Sequence, residues 1–484
     1  MREGRIITNL TTPANAPVSG ATPASGVSRR TLLQFAAAAG TAAGVGLGLG
    51  QTPAEASSLQ LPPLFLHGPA RTKGALEIRY RNDASRPFTD PSATYRWLNA
   101  PSPQGPWAPL MGVATRNIGI PLSYGDTYLR AEVTVPGANP RLTPPILIEK
   151  AEGNPATDWF HSAQYGVSHH FLSNYINRVA ADESEKWHAD ESWDDLLATF
   201  DVRAYAASLA EAGVGFVILT LGQNSGYLLG PNRAYEKVAG VAPGERTPAR
   251  RDLPMDIADA LAEHGIKLIL YIPANPPHTA HKSEGDYAIT KAFGYTPGQD
   301  GVPSQATMTQ WHAVLREYSE RYGDKAAGWW IDGVFPGLQP AYADMTKTNN
   351  WSSFAAALKA GNPDRVITLN SGLGPSLHKP TSVYDDYTPG ENRNLGAVPE
   401  RGERWADEAR SVQWFDFTYL GAFDPYWAGW GNRGTSKDTE ELARWVASAT
   451  ALGGVIGMDT RVDRFGRIDA AQLAQLRRVR EVVG

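Results

Sequence analysis

From residue 75 to 150 apolar and polar residues alternate over short runs, as in Ala75–Tyr80, Tyr95-Arg96-Trp97 and residues 128–133. Prolines and glycines fall between these runs at intervals suited to antiparallel strands, so a small β-sandwich domain is expected over residues 57–150. After a polar Gly/Pro stretch at residues 151–157 the pattern changes. Residues 214–220 and 266–271 are continuous apolar runs next to glycines, the pattern of parallel strands buried on both faces. Between them Leu253, Ile257 and Leu261 recur at helical spacing before Gly265, completing a βαβ unit. A helix carrying Trp311, Leu315, Tyr318 and Tyr322 then leads to a strand at 328–332.

Further strands are expected at 365–369, 383–385, 411–414 and 454–458, with the first at 164–169 and a closing helix through Leu473, Leu476 and Val479. Eight strands alternating with helices predict a (β/α)₈ TIM barrel over residues 151–484, with a doubly wound open sheet as the alternative. In such barrels the active site lies at the C-terminal ends of the strands. Those ends here are polar: His169-His170, Gly222-Gln223-Asn224-Ser225, Asp332, Asn370-Ser371, Asp385-Asp386 and Asp459. Asp332 stands out, since it directly follows Trp329-Trp330-Ile331 and an aromatic wall beside a carboxylate suits a sugar ring. Glycoside hydrolysis needs a second carboxyl group, and Asp385, Asp386, Glu391 and Glu403 are the candidates; their spacing does not separate them.

Composition narrows the partners. A net charge of −5 from 45 basic and 50 acidic residues gives no basic footprint for nucleic acid. With no cysteine, disulfides and thiolate chemistry are excluded. No cluster of His and carboxylates has metal-ligand spacing and no nucleotide fingerprint is present, so neither metal nor organic cofactor is implied. The 14 Trp and 19 Tyr fit a carbohydrate partner, and Trp97 or Trp107 of the β domain either binds carbohydrate or packs in a spacer. Near the N-terminus, Ser28-Arg29-Arg30-Thr31-Leu32-Leu33, an Ala/Gly-rich apolar run and Ala54-Glu55-Ala56 read as a twin-arginine signal over residues 1–56, cleaved after Ala56. The mature protein is then expected to be secreted or periplasmic, delivered by the Tat export machinery and not held in a membrane.

The segments Phe200-Asp201 with Tyr205 and Leu209, Ala212-Gly213-Val214, Arg251-Asp252-Leu253, Gly265-Ile266-Lys267-Leu268 with Tyr271, and Trp330-Ile331-Asp332-Gly333 follow an order and spacing that resemble the α-L-fucosidase-like glycoside hydrolases of family 29. The resemblance covers the barrel. It implies a retaining exo-glycosidase with Asp332 as nucleophile and Glu391, in Tyr387-Thr388-Pro389-Gly390-Glu391, as acid/base, with Glu403 as competitor. It also implies substrate contacts from His170, Tyr271 and Trp330. Where the family carries a Lys-His-His-Asp-Gly-Phe run, this chain has Gly222-Gln223-Asn224-Ser225-Gly226-Tyr227, which places amides at Gln223 and Asn224 and leaves a non-fucose specificity open. The other alternative is a catalytically silent carbohydrate-binding barrel.

Overall fold

The computed structural model describes residues 59–277, 287–295, 302–374, 377–425 and 428–484. The expected export signal and its cleavage site lie outside the described residues. Seven parallel strands form one curled sheet of the TIM-barrel kind: β1 (Tyr165–His169), β2 (Phe216–Thr220), β3 (Lys267–Pro273), β4 (Ala326–Asp332), β5 (Val366–Leu369), β6 (Phe415–Tyr419) and β7 (Val455–Asp459). Their order in the sheet is β5-β4-β3-β2-β1-β7-β6, so every neighbour in space is a neighbour in the ring sequence and the open sheet with reversed order is not seen.

Side chains alternate between two environments with the period of a strand. Phe216, Ile218, Ile269, Tyr271, Trp330, Phe415 and Phe417 point inward and share a core with Phe160 and Tyr387. Val217, Leu219, Leu268, Leu270, Trp329 and Ile331 point outward and pack under the helices. These include Leu253–Ala262, Gln305–Tyr322 and Ala470–Val483, at the places where the helical periodicity predicts them.

Two expected strands differ. Residues 383–385 do not form a strand. The carboxylate of Asp385 turns back to accept from Thr381 N and Ser382 N, bending the chain there. The next residues, 386–392, occupy the place between β5 and β6 without a continuous ladder. Asp386 N donates to Ile367 O at 2.7 Å, and Gln413 N to Asp386 O at 2.9 Å. Farther along, Phe417 N donates to Gly390 O at 2.9 Å and Asn392 N to Phe417 O at 2.7 Å. The strand expected at 411–414 lies instead at Phe415–Tyr419, because Gln413 is taken up by isolated bridges to Tyr387 and Trp405.

Of the three small sheets ahead of the barrel, the four- and five-stranded ones share one apolar cluster that includes Leu66, Leu76, Ile78, Trp97, Leu129 and Val133. Trp97 is fully buried and donates to Thr115 O, while Trp107 lies under the Arg130 guanidinium at 4.0 Å. These sheets are tied to the barrel by buried polar contacts. Asn117 donates to Ala356 O at 2.7 Å, Arg316 donates to Asn117 at 2.9 Å, and Lys73 Nζ donates to Asp385 O at 2.7 Å.

Candidate active site

Asp332 ends β4 at the C-terminal rim, and three donors converge on it. Gly333 N and Asn370 Nδ2 donate to Oδ1 at 2.8 and 2.9 Å, and Tyr271 Oη donates to Oδ2. Tyr271 is itself held by Gln223 Nε2 at 2.6 Å. In the β3–β4 pairing Tyr271 sits opposite Trp330, and their rings stack 5.0 Å apart at 12°. Trp330 donates to Pro389 O at 3.0 Å and is only 2% exposed. Trp330 and Tyr271 therefore form a buried floor beneath the carboxylate, and Trp329 packs outward under the helices, so the aromatic wall expected of Trp329-Trp330 is not formed.

Glu391 reaches the same place from the segment between β5 and β6. Gly390, with φ +68°, comes so close to β6 that a Cβ there would meet Phe415 O at 2.4 Å; the close approach delivers Glu391 to the pocket. Asn370 Nδ2 donates to Glu391 Oε2 at 2.8 Å while also donating to Asp332. One amide thus holds both carboxyl groups. Burial and then the charge of Asp332 push Glu391 up to about 7, against the opposing pull of Asn370, His170 and Arg393.

Across the pocket His170 Nδ1 meets Asp459 Oδ2 at 2.7 Å, and Asp459 also accepts from Gly431 N. Burial works against the charged imidazolium, but Asp459, with Asp332 and Glu391 behind it, outweighs this and raises His170 above its ordinary value. Its ring lies 5.7 Å from Tyr271 and 5.8 Å from Trp430. Asn224 follows Gln223 in the turn after β2 and is half-buried.

Of the expected site residues, Asp332, Glu391, His170, Tyr271, Trp330 and Gln223 come together. The other carboxylates do not join them. Asp385 is bound to its own turn. Asp386 is fully buried against Lys359 Nζ at 2.9 Å, Asn154 Nδ2 at 2.8 Å and Ile367 N at 2.9 Å. Glu403 pairs with Arg401 and Arg410, and its neighbour Arg404 binds Thr157 and Asp158 ahead of β1, at the opposite rim. Trp430 is missed in the sequence, and Asn370 and Asp459 are placed at the right rim without a role. The last two were visible as polar strand ends; Trp430, between Gly429 and Gly431 in a loop, carries no such signal.

Among the described residues no group of three His, Cys, Asp or Glu is placed to hold a metal ion, and no helix is long and apolar enough to cross a membrane. No family model matches the chain, and no curated protein does. Solved structures do. The endo-fucoidan hydrolase MfFcnA9 of glycoside hydrolase family 107 aligns at 16% identity over 69% of this chain and 64% of its own, with a TM-score of 0.52. A variant of the endo-fucoidan hydrolase MfFcnA4 of the same family aligns at 17% identity over 67% and 53%, with a TM-score of 0.50. An α-L-fucosidase isoenzyme 1 from Paenibacillus thiaminolyticus aligns at 16% identity over 67% and 74%, with a TM-score of 0.47. At these identities the likeness is one of fold. The chain spans about two thirds or less of the length of the two fucoidan hydrolases.

Proposed function

We propose that the protein is a retaining exo-glycosidase of fucosidase-like type, acting outside the cytoplasm on terminal α-linked sugars. The barrel is read as a closed ring of eight, residues 386–392 taking the sixth place, with a β-sandwich ahead of it.

The observation that carries the reading is the shared amide of Asn370. The two carboxyl oxygens it holds can be no farther apart than its two hydrogen bonds laid end to end. That favours the roughly 5 to 5.5 Å carboxyl separation of retaining enzymes over the roughly 6.5 to 9.5 Å that inverting enzymes leave for a water. In this scheme Asp332 attacks the anomeric carbon as the glycosidic C–O bond breaks, and the Glu391 proton passes to the departing oxygen. Glu391, now a carboxylate, takes a proton from the water that releases the sugar from Asp332. A group raised to about 7 is suited to both halves, since it holds and loses its proton near neutrality. His170 and Trp430 flank the sugar. Gln223 spends one of its two amide hydrogens on Tyr271, so its other N–H and its carbonyl oxygen set a recognition pattern unlike that of a histidine.

The test is chemical rescue on aryl glycosides. Asp332→Ala is expected to lose turnover and, with added azide, to yield a glycosyl azide of inverted configuration. Glu391→Ala with azide is expected to yield the retained anomer. Near wild-type hydrolysis by Asp332→Ala on an activated aryl glycoside would remove the assignment.

A further inference from the structure

Phe335, three residues beyond Asp332, leaves 57% of its surface exposed although Val334 and Leu338 on either side of it are buried. A single exposed apolar side chain is ordinary on a protein surface. What sets this one apart is how it is fixed. Gly333 N binds Asp332 Oδ1, and Val334 N donates to Asn370 O at 2.7 Å. Phe335 O then accepts from Leu338 N at 2.8 Å. The backbone leading into the ring is therefore pinned to both Asp332 and Asn370.

The ring itself rests against Gly372. That residue has φ +88°, and a Cβ there would come within 2.9 Å of a ring carbon. Any larger residue at 372 would strain the backbone and displace the ring. Gly372 N in turn donates to Asn370 Oδ1 at 3.0 Å, so the strap that seats the ring also orients the amide that holds Glu391. The two sides of Asp332 are thereby distinguished. Its Oδ2 side meets Tyr271, with Gln223 and His170 beyond; its Oδ1 side meets Asn370, with Glu391 and Phe335 beyond. On the proposed mechanism a group protonated by Glu391 departs on the Oδ1 side, the side on which the backbone carrying Phe335 is tied to Asn370.

We propose that Phe335 is the platform on which the leaving-group sugar of a disaccharide or oligosaccharide stacks, its C–H face against the open ring. This rests on the glycosidase reading and adds the leaving-group class: a sugar ring, not a small alcohol. The exposed side chain of the adjacent Leu373, at 45%, widens the same apolar rim.

The experiment compares two substrates of whichever sugar the wild type releases: its glycosyl fluoride, whose leaving group needs no platform, and its disaccharide with galactose. For Phe335→Ala, kcat/KM on the disaccharide is expected to fall about tenfold, whereas the fluoride is turned over as by the wild type. Phe335→Trp, which keeps an aromatic face, is expected to retain activity on both. An equal loss on both substrates, or no loss on either, overturns the platform. A wild type inert on every aryl glycoside and glycosyl fluoride tested overturns the glycosidase reading and the platform with it.

Discussion

Glu391 carries the main electrostatic tension of the site. Burial and the neighbouring Asp332 charge raise it to about 7, while Arg393, exposed two residues along the same segment, pulls it back down. In the proposed mechanism the acid form must donate, so kcat/KM declines as the pH rises through the region of this group. Removing the Arg393 charge takes away an interaction that favours the carboxylate. Glu391 then keeps its proton to higher pH, and Arg393→Gln is expected to move the alkaline limb of the pH–kcat/KM profile upward. Because Arg393 faces solvent, the displacement shrinks as salt is added. A limb that stays in place at low salt, or moves down, contradicts the coupling. Where one amide serves both carboxyl groups, the limbs belong to the pair and not to either residue alone.

At the level of elements, the segment after β5 illustrates what a sequence conceals. Asp385 and Asp386 stand where a strand end was expected, and by position they were as good a pair of catalytic candidates as Glu391. Their partners decide otherwise. Asp386 is bound by Lys359, and Lys73, from far earlier in the chain, donates to the Asp385 carbonyl. Asp386→Asn leaves the Lys359 ammonium, 2% exposed, without its counter-charge and is expected to cost about 3–5 kcal/mol. Denaturant titration would measure this; a loss below about 1 kcal/mol would mean that the buried cation finds another partner. The parallel strands and their helices were legible because apolar runs and helical periodicity are local signals. Asp332 was legible because it closes such a run. The turn at Asp385 depends on side-chain bonds to its own backbone, and the choice of Glu391 over Glu403 depends on which rim each loop reaches. Neither leaves a periodic trace. Trp330 misled for a related reason: adjacency to Asp332 says nothing of burial, and its ring is covered by Tyr271.

For the molecule as a whole, the proposed twin-arginine export of a folded chain rests on the absence of cysteine and on the paired Arg29-Arg30 ahead of an apolar run. Replacing both arginines by Lys is expected to leave the precursor inside the cell, as fractionation and immunoblotting would show; normal secretion of that variant would remove the twin-arginine reading. The sheets ahead of the barrel belong with it to one unit, Ser58–Gly484, joined through Asn117, Arg316 and Lys73. A last consequence follows from where Asn370 stands. It directly follows β5, whose register is set by its ladder with β4, whereas Glu391 is carried by a segment that meets β6 through an isolated bridge. The spacing of the two carboxyl groups is gauged from the strand and not from the loop. On the proposed mechanism, the reach between attacking group and acid is then a property of the barrel wall, and the loop that brings Glu391 conforms to it.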